Sequence, residues 1–299
     1  MKTSNIMGFL AFAACIAAGI IASACGIRSG TYKQVKKPVV AVSIPPQETF
    51  VRAVAGNLVE TITLIPPGRG PESYSPTPRD MESFSRASIY FAIGVPAEAA
   101  NILPRARDFN SNLKIVSLCD EVKKIYPERE FPPGSRDPHI WLSPKRVKVM
   151  VETIAAELGA ADADNKAVYE RNALSYLRQL DILDREIKSM LSGIENRTFI
   201  AYHPAFGYFA DDYNLEMLSL EKEGKEATAR DLQDMINTAR KRKIKAIFYQ
   251  AEIDSRQAEV FAREIGGKAV MVAPLAPDYI DNLRRMARTF EEILGMEEK

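Results

Sequence analysis

The sequence predicts an α/β fold: two α/β lobes with parallel sheets, bridged by one long backbone helix. Three observations predict it. From Pro38 to about Glu157, short β-rich apolar runs alternate with helical stretches. From Arg197 the same alternation resumes. Between them, residues 163–191 hold neither glycine nor proline and show apolar residues three and four apart. Strand–helix alternation argues for a parallel sheet with flanking helices, and the uninterrupted helical period argues for a connector.

Residues 1–24 read as a lipoprotein signal peptide. Lys2 precedes an uncharged apolar stretch from Ile6 to Ala24, with small residues before the expected cut. "ASAC" resembles the lipobox of bacterial lipoproteins, with Cys25 as the residue that carries the lipid and Ala22 where leucine is usual. The stretch is also about long enough to span a bilayer, so an uncleaved anchor is the competing reading. Either way the mature domain lies outside the cytoplasmic membrane, held to it by a lipid on Cys25 in the favoured reading. Residues 25–37 read as a polar tether. Cys119 is then the other cysteine left, so no intramolecular disulfide is expected.

The N-terminal lobe, 38–157, contains expected strands "VVAVSI" (39–44), "TITLIP" (61–66), "IYFAIG" (89–94) and "KIVSL" (114–118). Helical patterns such as 47–56 and 78–88 separate them. The linking segment, 158–192, contains the long helix, expected over 163–191 and about 42 Å in length at 1.5 Å per residue. Its apolar positions are Val168, Leu174, Leu177, Leu180, Leu183, Ile187 and Leu191. The C-terminal lobe, 193–299, contains expected strands "TFIAY" (198–202), "EMLSL" (216–220), "AIFYQ" (246–250) and "AVMVAPL" (269–275). A helix over 228–243 opens on Thr228 with Asp231 three residues on, a capping-box-like start.

Composition narrows the partners. Hydrophobic residues make up 46% and charged residues 26%, ordinary for a globular protein. With 40 basic and 39 acidic residues there is no basic surplus, so a nucleic-acid partner is not expected. "RKRKIK" (240–245) reads as the solvated end of a helix. Nothing suggests self-association, and a monomer is expected.

Ligands in open α/β sheets bind beyond the carboxyl ends of the strands. Four such exits carry polar residues. "PGRGPESYSPTPRDM" (67–81) holds Glu72 in a Gly/Pro-constrained loop before a Thr77-Pro78 helix start. "DPHIWLSP" holds His139, beside Asp137, which is placed to orient an imidazole. "AYHPAFGYFADDY" holds His203 at a strand end. "AIFYQAEIDS" holds Gln250 at a strand end and Glu252 two residues on. His139 and His203 are the only histidines. One lies in each lobe, at a turn where the lobes can meet, which points to a shared cation. A lone histidine beside apolar residues is otherwise a hydrogen-bonded core residue, and a lone loop glutamate is otherwise a solvated one.

These residues resemble the zinc- and manganese-binding receptors of bacterial ABC importers, the cluster A-I (cluster 9) solute-binding proteins. "SYSPTPRDM", "DPHIWLSP", "YHPAFGYFADDYNLE", "EGKEATARDLQDMI" and "APLAPDYIDNL" carry the resemblance, which runs from Pro38 to Leu294. It implies two α/β lobes on a rigid helix, a metal between them, and an ABC importer permease as partner. It places His139 and His203 on metal-ligand positions. Two positions depart from the pattern: Glu72 stands where histidine is usual, and Ala273 where an aspartate is usual. The long His-rich loop of zinc receptors is also absent.

Glu72 can still bind zinc through oxygen. The fourth ligand is Gln250, Glu252 or water. Counting ligand charges alone favours Glu252, because Zn2+ with Glu72 and two neutral imidazoles keeps one positive charge. Position favours Gln250, which ends the strand. The expected set is Glu72, His139, His203 and Gln250, with Zn2+ as the ion and Mn2+ as the alternative. A zinc hydrolase is the competing class, but no H-E-x-x-H helix is present. A surface adhesin on the same scaffold is compatible with metal binding. The continuous linking helix predicts small lobe movements or loop rearrangement on release, not a wide hinge.

Overall fold

The computed structural model describes residues 37–131, 134–221, 227–252, 254 and 256–295. The expected signal segment 1–24, Cys25 with its lipid, and the tether up to residue 36 lie outside them. Among the described residues, no helix is long and apolar enough to cross a membrane.

The first lobe opens with β1 (Val39–Val42), α1 (Pro45–Ala55), β2 (Glu60–Thr63), α2 (Pro78–Phe84) and β3 (Ile89–Ala92). Irregular helical turns over 98–105 and the one-turn α3 (Ala106–Phe109) lead to β4 (Lys114–Ser117) and α4 (Leu118–Lys123). A small antiparallel hairpin, β5 (Glu130–Phe131) and β6 (Ser135–Arg136), precedes a turn at Ile140–Leu142. Then come α5 (Pro144–Ala161) and α6 (Lys166–Leu191). The second lobe contains β7 (Thr198–Ala201), α7 (Gly207–Asp212), β8 (Glu216–Ser219), α8 (Ala229–Lys241), β9 (Ala246–Gln250), α9 (Arg256–Glu264), β10 (Lys268–Val272) and α10 (Tyr279–Leu294).

Each lobe is built on a four-stranded sheet, ordered β2-β1-β3-β4 in the first and β10-β9-β7-β8 in the second. Every pairing in both is parallel. The expected strands form, and most end a residue or two early. The reason is visible at β1. Gln47 Oε1 accepts the backbone N–H of Ser43 at 3.0 Å and of Ile44 at 3.1 Å, which turns the chain into α1. The β5–β6 hairpin has no signal in the sequence, since two-residue strands carry no readable alternation.

Strands in both lobes are covered on two faces, which explains their unbroken apolar runs. Val40 and Val42 face α1 and α5, whereas Val39 and Ala41 face Met81, Phe84 and Ile102. In the second sheet, Phe199 and Phe248 face α10, whereas Ile200 and Ile247 face Ile236 and Phe261. One core therefore runs from the inner face of the first sheet, through α6, to the inner face of the second. Phe290 of α10 stacks on Phe248 at 4.3 Å between ring centres and meets Phe199 at 4.8 Å.

The long helix corrects two expectations. It begins at Lys166, not Ala163, because Asp162 accepts from Asn165 Nδ2 and from the Tyr169 hydroxyl, each at 2.8 Å, and closes a separate turn. Its buried stripe is Tyr169, Ala173, Tyr176, Leu180, Leu183, Ile187 and Leu191. Leu174 is 57% exposed. α6 lies against α1 and α5 on the first-lobe side and α10 on the second.

A second tie crosses between the lobes beside the strand ends. The carboxylate of Asp212, buried in α7, accepts from Ser143 Oγ at 2.6 Å and Arg146 Nη1 at 3.1 Å, and pairs with Lys145 at 2.5 Å. The Arg146 guanidinium lies over the Tyr208 ring at 4.4 Å and the Tyr126 ring at 5.4 Å. A buried charge is tolerated only with such full pairing. Trp141 Nε1 donates to the Pro274 carbonyl at 3.0 Å, and the Tyr279 hydroxyl donates to the Trp141 carbonyl at 2.8 Å.

The helix stripe makes a direct prediction. Leu183→Ala, at a position with no exposure, lowers stability by about 2–5 kcal/mol. Leu174→Ala changes it by less than about 0.5 kcal/mol. Urea midpoints at unchanged slope measure both, and equal costs would place the buried face wrongly.

Candidate metal centre

Three side chains from separate loops converge, after β2, after the β5–β6 hairpin and after β7. Glu72, His139 and His203 each offer one ligand atom, and the three atoms lie within 4.8 Å of one another. The two Nε2 atoms are 3.2 Å apart. Glu72 Oε1 is 3.3 Å from Nε2 of His203 and 3.7 Å from Nε2 of His139.

Local structure fixes each group. Glu72 sits in the loop after β2, which is pinned where Asn101 Nδ2 donates to the Tyr74 carbonyl at 2.8 Å and Ala97 N–H to the Pro71 carbonyl at 3.0 Å. A Cβ on Gly70 would come within 2.8 Å of the Glu72 carboxylate, so a side chain there would push Glu72 from its present position. Thr77 and Asp80 close the loop with a reciprocal cap on α2. The Glu72 side chain keeps 36% exposure.

His139 and His203 are buried and each leans on a carboxylate. Asp137 Oδ1 accepts the His139 backbone N–H at 3.0 Å and lies 2.8 Å from its Nδ1. Glu221 Oε2 lies 2.6 Å from Nδ1 of His203. An ionised carboxylate only accepts, so in both rings Nδ1 carries the hydrogen and Nε2 points inward. Carboxylates behind histidines in this way set the tautomer and the ring orientation of metal ligands.

The protonation states follow. Burial alone would lower the pKa of His203, but its hydrogen bonds to Glu221 and Glu72 outweigh this and raise it to about 9. Burial likewise opposes protonation of His139, and Asp137 and Glu72 again raise it. Burial would raise the pKa of Glu72, yet the two imidazoles hold it well below the usual carboxylate range. The three groups make a place where positive charge is wanted.

Of the sequence-predicted residues, the structure brings Glu72, His139 and His203 together. Gln250 ends β9 and is buried, and its amide makes no hydrogen bond to those three. Glu252 lies past the strand end. Its Oε2 is buried without a hydrogen-bond partner, and burial together with the nearby charge of Glu72 raises its pKa.

Sequence reasoning missed Glu221 and Arg129. Glu221 follows β8 by two residues, so the strand-exit rule that found His203 applies to it as well. Arg129 pairs with Asp137 at 3.3 Å. Together they reverse the charge argument for Glu252. Glu72, Asp137, Glu221 and Asp211 against the single cation of Arg129 leave a negative excess, which a dication offsets without a fourth anionic ligand.

The spacing suits a bound divalent ion. Four ligands about 2.0–2.1 Å from a tetrahedral zinc lie about 3.3–3.4 Å from one another. The two shorter edges here, 3.2 and 3.3 Å, fit such a site and fit adjacent positions of an octahedral shell equally well, so donor type and not spacing separates the ions; the 3.7 Å edge involves the more exposed Glu72.

Known proteins share this chain's pattern. The profile of the family described as ZnuA, zinc-uptake complex component A, periplasmic, matches residues 40–293. The high-affinity zinc uptake system protein ZnuA of Bacillus subtilis (strain 168) is 26% identical over 283 residues, covering 90% of this chain and 88% of that protein. The manganese ABC transporter substrate-binding lipoprotein PsaA of Streptococcus anginosus is 26% identical over 258 residues, 82% of each chain. A solved ZnuA deletion mutant with zinc bound superposes at a TM-score of 0.82 with 33% identity, covering 88% of this chain and all of that one.

A raised imidazole pKa means that the free site holds a proton at neutral pH which a metal must displace. With His203 titrating at about 9, zinc binding at pH 7 releases about one proton or more. Apparent affinity then climbs about tenfold per pH unit between pH 6 and 8. Calorimetry in buffers of different ionisation enthalpy measures the release. Binding without proton release would mean that both imidazoles are neutral in the free protein.

Proposed function

The chain belongs to the ZnuA family of periplasmic zinc-uptake components, and from that premise we propose that it captures Zn2+ at Glu72, His139 and His203 and passes it to its importer's permease. It is the metal-binding receptor of an ABC importer and works outside the cytoplasm, as a binding component and not an enzyme. The single observation that carries the site is the meeting of two inward Nε2 atoms, one from each lobe, with a carboxylate oxygen at the spacing of metal ligands.

Zinc is favoured over manganese by ligand type. Two imidazoles with one carboxylate suit Zn2+, whereas Mn2+ prefers more oxygen in an octahedral shell. Relatives are named for each metal, so the donor set decides. The fourth position goes to Gln250: it is neutral, which adds no further negative charge, and it ends β9 on the same face as Phe248, toward the core shared by the lobes. Water is the competing occupant. A lipid on Cys25 holds the monomer to the membrane in this reading.

Elemental analysis after exposure to zinc gives one ion per chain. His139→Ala, His203→Ala and Glu72→Ala each weaken binding by about a hundredfold or more, since zinc-site free energies of 10–16 kcal/mol divide among about four ligands. Gln250→Ala costs about tenfold and Glu252→Ala leaves affinity unchanged. A loss in Glu252→Ala alone would move the fourth ligand there, and preferential uptake of manganese in competition would overturn the choice of zinc.

A further inference from the structure

Arg129 occupies a position that metal binding by itself does not require. It comes from the loop before β5 in the first lobe. Its Nη1 donates to both carboxylate oxygens of Asp211 in α7 of the second lobe, each at 3.1 Å. Its Nε faces Asp137 Oδ2 at 3.3 Å. Its backbone N–H donates to the Tyr208 hydroxyl at 2.9 Å. One residue thus touches the carboxylate behind His139 and the helix that follows His203.

The fit is close. Asp137 has no exposure, and its Oδ1 is spent on His139. Its Oδ2 and Arg129 Nε are both buried without an aligned hydrogen-bond partner, so each is the other's nearest charge compensation. Gly207 opens α7 where the two meet: a Cβ there would come within 2.0 Å of Arg129 Nε and 2.7 Å of Asp137 Oδ2. The backbone is pared down to let the guanidinium through.

We infer that Arg129 is a positioning residue for the cation: by holding Asp137 and Asp211 at once, it sets the spacing of the two imidazole Nε2 atoms across the lobe boundary. The chain of contacts closes a ring, from His139 through Asp137, Arg129, Asp211 and α7 to His203. A planar fork with separate donors can hold two carboxylates, whereas an ammonium acts as a single point charge. The inference rests on the metal reading of the site and adds to it the device that spaces the ligands for the ion.

The test uses Arg129→Ala, Arg129→Lys and Asp211→Asn in the full chain, with zinc affinity and the visible spectrum of bound Co2+ as readouts. Tetrahedral Co2+ absorbs far more strongly than octahedral, so its intensity reports ligand spacing and not mere folding. Asp211 is 52% exposed, and its amide variant is expected to fold. Arg129→Ala and Asp211→Asn each weaken zinc binding by about 10–100-fold, the usual cost of losing an outer-layer partner, and both dim the cobalt spectrum. Arg129→Lys recovers part of the affinity and not the spectrum. An unchanged spectrum in Arg129→Ala, or full recovery by Arg129→Lys, overturns the bridging role. Zinc binding by the parent chain and its loss in His139→Ala test the metal reading separately, so the two ideas fail on different results.

Discussion

Two buried imidazoles, one from each lobe, point their bare nitrogens at each other across 3.2 Å. That contact is unfavourable unless something positive sits between or beside the rings. In the free protein a proton serves: the carboxylates of Glu221, Asp137 and Glu72 raise the histidines, and the imidazoles hold Glu72 low. A dication serves better, because it satisfies both lone pairs and the carboxylate at once. The surrounding charges favour it: the carboxylates outnumber the one guanidinium, and a divalent ion offsets the excess.

The rest of the fold keeps that contact in place. α6 lies in a core continuous with both sheets. The buried Asp212, gripped by Ser143, Lys145 and Arg146, ties the start of α5 to α7 a few residues from each histidine. Wide separation of the lobes would strip those partners from a buried carboxylate, at a cost of several kcal/mol. The exposed ligand is Glu72, on a Gly/Pro loop. Of the three groups Glu72 is thus the one that solvent reaches most readily.

Much of this was legible in the sequence, for physical reasons. Strands covered on both faces must be apolar throughout, so "VVAV" and "AIFYQ" declare themselves. Thr77, Ser143 and Thr228 mark helix starts because side-chain oxygens must satisfy free N–H groups, and all three do so. His203 was found because strand exits are where open α/β folds bind ligands, whereas His139 follows the β5–β6 hairpin and not a strand of the parallel sheet. What stayed hidden depends on pairing across sequence distance. Glu221 gains meaning only beside His203, and Arg129 only between Asp137 and Asp211. Leu174 misled because heptad-like spacing is satisfied by either of two neighbouring stripes, and only packing against α5 and α10 chooses Tyr169, Ala173 and Tyr176.

The two departures from the receptor pattern are best understood together. The resemblance implies a neutral histidine at position 72 and an anionic aspartate at position 273. This chain has an anionic glutamate at 72 and a neutral alanine at 273. The summed charge of these two positions is therefore the same in this chain as in the pattern that the resemblance implies. The segment around Ala273 has been given over to packing: its carbonyl accepts from Asn282 at 2.7 Å, and that of Pro274 accepts from the Trp141 indole. A site that conserves its charge while exchanging the position of its anion is constrained by the electrostatics of holding a dication and less by the identity of any one ligand.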